Sequence, residues 1–109
     1  MLHIKTLDEG LEIFKALGSD IRIQIIKTLI TNKGMNMNEL ASSLNISNSA
    51  LTSHIRRLEE CGIIAIANET SGHGNEKKCM VHLDKILVDI NPQEGSKDIY
   101  EVDVRVGHY

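Results

Sequence analysis

The sequence predicts a mainly α-helical domain that closes with a β-hairpin and continues into a β-rich C-terminal tail. Two observations predict this fold class. Between residues 6 and 62, aliphatic residues recur three or four positions apart in four segments, which is the period of an α-helix. After Gly62 the apolar residues fall into two short runs, 63–67 and 77–83, which flank a polar turn with two glycines and so indicate a hairpin.

The first predicted helix follows a capping-box pattern formed by Thr6 and Glu9, and it ends just before Gly18. Its apolar residues recur at helical spacing, so we expect one side of this helix to pack against the rest of the domain. The residues expected on that inward side are Leu7, Leu11, Phe14 and Leu17.

Two further helices begin at polar caps. Ser19 precedes the apolar run IRIQIIKTLI, and Asn36 with Glu39 caps the short helix that comes next. Asn45 follows this short helix, and asparagine tolerates the left-handed backbone of a tight turn. The expected core residues of the two helices are Ile21, Ile25, Ile26, Leu29, Leu40, Ala41 and Leu44.

A fourth helix is predicted within NISNSALTSHIRRLEECG, residues 45–62, where Ser47 provides the N-cap and Gly62 the end. One stripe of this helix is aliphatic and consists of Leu51, Ile55 and Leu58. The opposite stripe carries short hydroxyl side chains and a guanidinium group, on Ser49, Thr52, Ser53 and Arg56. Such a helix can pack on its own domain and present polar groups outward.

The third and fourth predicted helices, with the tight turn between them, form a helix-turn-helix arrangement over residues 36–58. The major groove of duplex DNA is about 12 Å wide and accepts one helix, so we expect the helix over residues 47–61 to enter it. Free backbone N–H groups in the first turn of this helix can donate hydrogen bonds to phosphate oxygens. Arg57 lies to the side of the outer stripe, so we expect it to contact the sugar-phosphate backbone. The expected DNA-binding residues of this helix are Ser47, Asn48, Ser49, Thr52, Ser53, Arg56 and Arg57.

The predicted hairpin provides a second contact with DNA and makes the fold a winged helix-turn-helix. His73 lies in its polar tip, and Lys77 and Lys78 begin its second strand. Because Glu69 and Glu76 flank the same tip, we expect this wing to contribute weakly, through Lys78 and backbone amides.

The charge distribution leaves two kinds of function open. The net charge is −3, but residues 1–83 hold nine basic and nine acidic side chains, so the net acidity lies in residues 84–109. A neutral domain can bind DNA through local cations and helix termini, yet a winged-helix module that binds another protein and not DNA is the alternative. An enzyme is disfavoured, because the sequence offers no nucleophile–base pair and no glycine-rich phosphate loop.

Packing explains the cysteines and histidines better than ligand binding does. Cys61 and Cys79 are widely spaced, and Cys79 and His82 would lie on opposite faces of a strand. His54 falls near the aliphatic stripe, which indicates a partly buried structural histidine. We therefore expect no metal site and no cofactor. The sequence shows neither an apolar run long enough to cross a membrane nor a signal peptide, so we expect a cytoplasmic protein.

The tail contains two strand-like runs, 85–90 and 99–106, separated by a turn-rich linker around Pro92. We therefore divide the chain into a winged helix-turn-helix domain over residues 1–83 and a β-rich tail over residues 84–109. Because no helix follows to cover the apolar face of these strands, we expect the tail to open a second domain of a longer protein.

Residues 10–83 resemble the winged helix-turn-helix repressors of the arsenical-resistance (ArsR) type, through FKALGSDIRIQIIKTLI, MNELASSLNISNSALTSHIRRLEECGII and the following hairpin. The resemblance implies a homodimeric transcriptional regulator that binds an inverted-repeat operator. The resemblance does not imply metal sensing. The segment Met35-Asn-Met-Asn38 lacks the cysteines, and predicted strands replace the C-terminal helix, through which members of this family sense metals. We expect the dimer to form through the first helix and the tail strands. The positions that face DNA in this family correspond to Asn48, Ser49, Thr52, Ser53 and the arginines after them.

Overall fold

The computed structural model of the protein describes residues 1–71 and 74–92. Within these residues, four helices and five strands follow one another in the order β1 (Leu2–Ile4), α1 (Leu11–Leu17), α2 (Asp20–Asn32), β2 (Met35–Asn36), α3 (Met37–Leu44), α4 (Asn48–Glu60), β3 (Ile64–Ser71), β4 (Gly74–Val81) and β5 (Ile86–Val88). Four helices followed by a hairpin are the fold class that the sequence predicts, which is thereby confirmed. In the part of the chain that is described, no helix is long and apolar enough to span a bilayer.

One hydrophobic core joins α2, α3 and α4 to the sheet. The aliphatic stripe of α4, which we call the buried edge of α4, consists of Leu51, Ile55 and Leu58, each at most 2% exposed. Burial of three such side chains fixes the rotation of α4 about its axis, because turning the helix would expose apolar surface to water. The core cluster comprises Ala16, Ile25, Leu29, Leu40, Ala41, Leu51, Ile55, Leu58, Ile63, Ile64 and Cys79.

The predicted helix caps are confirmed for α2, α3 and α4. Ser19 and Ser47 each accept a hydrogen bond from the backbone N–H three residues further on. Asn36 and Glu39 form both bonds of a capping box, at 2.8 and 3.2 Å. Asn45 ends α3 with a left-handed backbone, at φ +57°, and so makes the tight turn into α4.

The start of α1 differs from the prediction. Thr6 Oγ1 accepts from the N–H of Glu9, but the Glu9 carboxylate accepts from the N–H of Lys5 and does not complete a capping box with Thr6. Residues 6–10 therefore form turns, and the helix begins only at Leu11.

The inward face predicted for α1 is also wrong for three of its four residues. Ile13 and Ala16 are the buried residues of this helix. The exposed fractions of Leu7, Leu11 and Phe14 are instead 47, 50 and 36%. The first helical segment carries two apolar stripes, one through residues 7, 11 and 14 and one through residues 13, 16 and 17. Periodicity alone cannot decide which of two such stripes meets the core.

The wing is the antiparallel β3–β4 hairpin, with pairs from Ile64 opposite Val81 to Ser71 opposite Gly74. The strands thus run through most of the segment that the sequence predicts as a polar turn, and only residues 72 and 73 of it lie outside the described residues. β2, which the sequence analysis did not predict, pairs with β4 on its other side, so the sheet order is β2-β4-β3.

A second, parallel sheet joins the two ends of the described chain. β1 pairs with β5 in the register Leu2 to Ile86 and Ile4 to Val88. His3 Nε2 also contacts Asp89 Oδ2 at 2.6 Å. The strand-like run 85–90 therefore lies against the N-terminus. The run 99–106 lies outside the described residues, and the division of the chain at residue 83 stays a prediction.

Candidate nucleic-acid interface

The face of α4 opposite its buried edge is open to solvent. At about 100° per residue, Ser49, Ser53 and Arg56 point away from the buried edge. All three residues are exposed. The helix has 13 residues and is therefore about 20 Å long. The outward stripe that the sequence predicts is thus available to a partner.

One flank of α4 faces the wing across an open cleft of about 410 Å³. We call this the wing cleft, and it is lined by Met37, Asn48, Thr52, Ile55, Arg56, Glu59, Ile66 and Lys77. The cleft brings the helix residues Asn48, Thr52 and Arg56 together with Lys77 of the hairpin. Glu59 also lines it and places a carboxylate beside the two cations.

Arg57 lies on the other flank of α4, toward α1. Its Nη1 is 3.9 Å from Oε1 of Glu12, and its side chain is 45% exposed. The structure thus separates the two neighbouring arginines, with Arg56 at the wing cleft and Arg57 beside a carboxylate of α1. This placement agrees with the expected lateral position of Arg57.

The hydroxyl groups at the start of α4 have intramolecular partners. Ser47 Oγ accepts from the N–H of Ala50 at 3.1 Å and lies 3.3 Å from Ser49 Oγ. Thr52 Oγ1 donates its proton to the carbonyl oxygen of Asn48 at 2.8 Å. Thr52 therefore presents oxygen lone pairs to a ligand, while Ser53 has an exposed hydroxyl that can donate or accept.

The two lysines of the wing lie on opposite faces of β4, because side chains alternate along a strand. Lys77 is exposed and lines the wing cleft. Lys78 is half-buried, and its Cε would lie 2.8 Å from a Cβ built on Gly34, so it packs over the backbone of that glycine. The structure thus brings Lys77, rather than Lys78, next to Arg56. His73 lies outside the described residues.

The sequence analysis missed two polar residues that hold α4 in place. Arg22 Nε donates to Nδ1 of His54 at 3.2 Å, and Asn48 Nδ2 donates to Oδ1 of Asn38 at 3.1 Å. Local sequence patterns could not reveal either pair, because 32 positions separate the first two residues and ten separate the second two. The prediction that His54 is a partly buried structural histidine is confirmed. Burial and the neighbouring Arg22 charge lower the pKa of His54 below its usual value.

The cysteines pack against the rest of the domain, as expected. Cys79 is fully buried with its Sγ 3.4 Å from Met37 Sδ, and the Cys61 Sγ lies 3.6 Å from the carbonyl oxygen of Glu12. Burial raises the pKa of both thiols above the usual value. Among the residues that the structure describes, no three His, Cys, Asp or Glu side chains are grouped to hold a metal ion.

Comparison with known proteins identifies the domain. Residues 19–65 match a family described as winged helix-turn-helix DNA-binding. This range spans α2, α3 and α4 and reaches the first residues of β3. The sequence has no significant match among curated proteins.

Solved transcriptional regulators share the fold. Reduced HlyU from Vibrio cholerae is 26% identical, with a TM-score of 0.58, and the match covers 68% of this chain and 73% of that one. HlyU from Vibrio vulnificus, a transcriptional regulator, is 23% identical with a TM-score of 0.58, over 71% of this chain and 75% of that one. The antimony-specific transcriptional repressor AntR is 23% identical with a TM-score of 0.59, over 72% of this chain and 66% of that one. Residues 19–65 therefore form a winged helix-turn-helix domain of the DNA-binding kind, and the chain shares its fold with solved transcriptional regulators.

Proposed function

We propose that the protein acts as a homodimeric repressor that binds an inverted-repeat operator and inserts α4 of each subunit into successive major grooves. The observation that carries this proposal is the wing cleft, where the exposed polar flank of α4 and Lys77 of the wing line one surface. A two-fold dimer would place its two α4 helices about 34 Å apart, one helical turn of DNA.

The proposed DNA contacts divide into two groups by position. Base edges would be read by side chains on the outer stripe and cleft flank of α4, namely Asn48, Ser49, Thr52, Ser53 and Arg56. Phosphates would be bound by Ser47, Arg57, Lys77 and Lys78 and by His73, which lies outside the described residues. The free N–H groups of the first turn of α4 add to phosphate binding, since they carry the positive end of the helix dipole.

An exposed apolar patch supports dimerisation through the first helix. Leu7, Leu11 and Phe14 are all exposed and follow one another at spacings of four and three residues. Large apolar side chains that are exposed within so short a segment favour a protein interface there. Burying this patch against its copy in a second subunit would remove it from water and join the two DNA-binding surfaces.

Selection of bound sequences from random duplex DNA tests the proposal. We expect the chain to enrich an inverted repeat, and its affinity for that repeat to fall steeply as salt rises, because bound cations release counterions from DNA. Sedimentation of the chain should show a dimer, and Phe14→Glu should shift it toward monomer. Gln24→Glu adds the same charge at an exposed position of α2 outside the patch and should leave the dimer intact. An affinity for DNA that does not change with salt would disprove the proposal.

The protein-binding module without DNA contact is the second candidate. Its support is electrostatic, since the two arginines of α4 are accompanied by Glu59 and Glu60 on the same helix. A module of this kind would show no enrichment of duplex sequences in the same selection. Our proposal includes no catalytic activity and no cofactor, and it keeps the cytoplasmic location expected from the sequence.

A further inference from the structure

We infer that Asn38 of α3 is a positioning residue that orients the carboxamide of Asn48 and thereby sets the base preference of the protein at the position that Asn48 contacts. The inference rests on the proposed function, because it assigns a role in base reading by α4. Its basis is the hydrogen bond from Asn48 Nδ2 to Asn38 Oδ1, which spans 3.1 Å and links the two helices of the helix-turn-helix.

Each of the two bonded residues lies in the first turn of a capped helix. Asn38 lies in the first turn of α3, directly inside the capping box of Asn36 and Glu39. Asn48 is the first residue of α4, after the Ser47 cap, and its carbonyl oxygen accepts from Thr52 Oγ1 at 2.8 Å. The backbone on each side is therefore held, and the bond between the carboxamides then holds the Asn48 side chain.

The geometry leaves Asn48 with a complete set of groups for reading adenine. A carboxamide has two N–H groups and one acceptor oxygen. Asn38 engages one N–H of Asn48, so one N–H and Oδ1 remain. This donor–acceptor pair matches N7 and the N6 amino group of adenine in the major groove. A side chain that is already oriented loses less conformational entropy on binding than a mobile one.

Stability alone does not account for the bond. Asn38 and Asn48 are both exposed, and a hydrogen bond between exposed neutral groups replaces bonds to water with little net gain. The bond is instead placed where orientation has a consequence, since Asn48 lines the wing cleft.

Variants of Asn38 in the full chain test the inference. The operator selected by the wild-type chain is varied base pair by base pair, and Asn48→Ala identifies the position that Asn48 reads. At that position Asn38→Ala should reduce the preference for adenine about fivefold to tenfold, a substantial part of what a bidentate contact contributes. Asn38→Asp keeps an oxygen acceptor for Asn48 Nδ2, so it should retain the preference while its added charge lowers affinity for every sequence.

Two controls separate orientation from other roles. In the Asn48→Ala background, Asn38→Ala should cause no further change in preference, because the side chain that it orients is gone. Asn32→Ala removes an exposed carboxamide at the end of α2, where it donates to the carbonyl oxygen of Thr28, and should leave base preference unchanged. Thermal unfolding should be the same for Asn38→Ala and wild type.

Each contrary result has a distinct meaning. If Asn38→Ala weakens binding equally for all base pairs, Asn38 contacts the sugar-phosphate backbone directly and the inference is wrong. If the preference at the Asn48 position is unchanged, the inference fails while the proposed function stands. A wild-type chain that selects no DNA sequence overturns both.

Discussion

The Nε–H group of Arg22 donates to Nδ1 of His54 across 3.2 Å and joins the first turn of α2 to the middle of α4. The same guanidinium donates through Nη1 to the carbonyl oxygens of Lys15 and Ala16 at the end of α1. Because a protonated imidazole carries a hydrogen on Nδ1, only neutral His54 can accept this bond. Arg22 therefore links α1, α2 and α4 through hydrogen bonds, and its bond to α4 requires a neutral His54.

This dependence predicts an acid-sensitive stability. The pKa of His54 is lowered in the folded chain, mainly by burial and also by Arg22. As the pH falls below the ordinary histidine value, the unfolded chain takes up a proton at this residue before the folded chain does, which favours unfolding. The contribution of His54 to folding stability is thus complete above the ordinary histidine pKa. It is lost as the pH falls through the lower pKa that His54 has in the folded chain.

Urea unfolding of the wild-type chain and of His54→Gln between pH 7.5 and pH 5 measures the effect. Glutamine retains an oxygen acceptor for Arg22 and does not titrate. We expect the free energy of unfolding of the wild type to fall, relative to the variant, as the pH is lowered. The remaining histidines are common to both chains and cancel in the difference. Parallel pH profiles would contradict this prediction.

Arg56 is predicted to contribute strongly to DNA binding. It lies on the outer part of α4 and lines the wing cleft, so its guanidinium can reach base edges or phosphate. Arg56→Ala should weaken operator binding about tenfold, as expected for loss of a good base contact. Lys33→Ala removes the same charge at the end of α2 and should have little effect in the same titration. Equal losses in the two variants would show that α4 presents a different face to DNA.

Glu59 is predicted to weaken DNA binding. It lines the wing cleft together with Arg56 and Lys77, so we expect its negative charge to repel phosphate there. Glu59→Gln should raise operator affinity about two- to fivefold, since an exposed charge interaction contributes up to about 1 kcal/mol. The gain should shrink at high salt because exposed charges are screened. An unchanged affinity at low salt would place the wing cleft away from the DNA.

Leu51 is predicted to be essential for the placement of α4. It is fully buried in the core, and Leu51→Ala should lower the free energy of unfolding by about 2–5 kcal/mol through lost burial and the cavity left behind. Ser53→Ala, two residues further along the same helix and exposed, should change stability little. Urea denaturation of both variants measures the difference. Similar losses for both would contradict the orientation of α4 described above.

Local sequence signals predicted α4 and its neighbours well. The caps at Ser19, Asn36 and Ser47, the turn at Asn45 and the buried edge of α4 all appear as predicted. Each of these features depends on residues within a few positions of one another. Capping and helical periodicity are local interactions, so a single sequence carries enough information to place them.

The face of α1 and the second sheet could not be predicted in the same way. α1 offers two apolar stripes, and the choice between them follows from what packs beside it: Ala16 joins the core cluster, whereas Leu11 and Phe14 stay exposed. β1 pairs with β5 more than eighty positions away, and no short-range pattern marks such a pairing. In the wing, the strands continue through polar residues because backbone hydrogen bonds between paired strands form at alternate residues whatever the side chains are.

The sequence by itself determined that a helix with one apolar and one polar stripe follows a short capped helix and precedes a hairpin, and hence the class of domain. It also supplied the residues that we propose to face DNA. Only the tertiary structure decided which side of α1 is exposed, that Lys77 rather than Lys78 lies beside Arg56, and that Asn38 and Arg22 hold α4. The physical reason is range: helix periods and caps act between near neighbours, whereas these contacts form only when distant segments pack together.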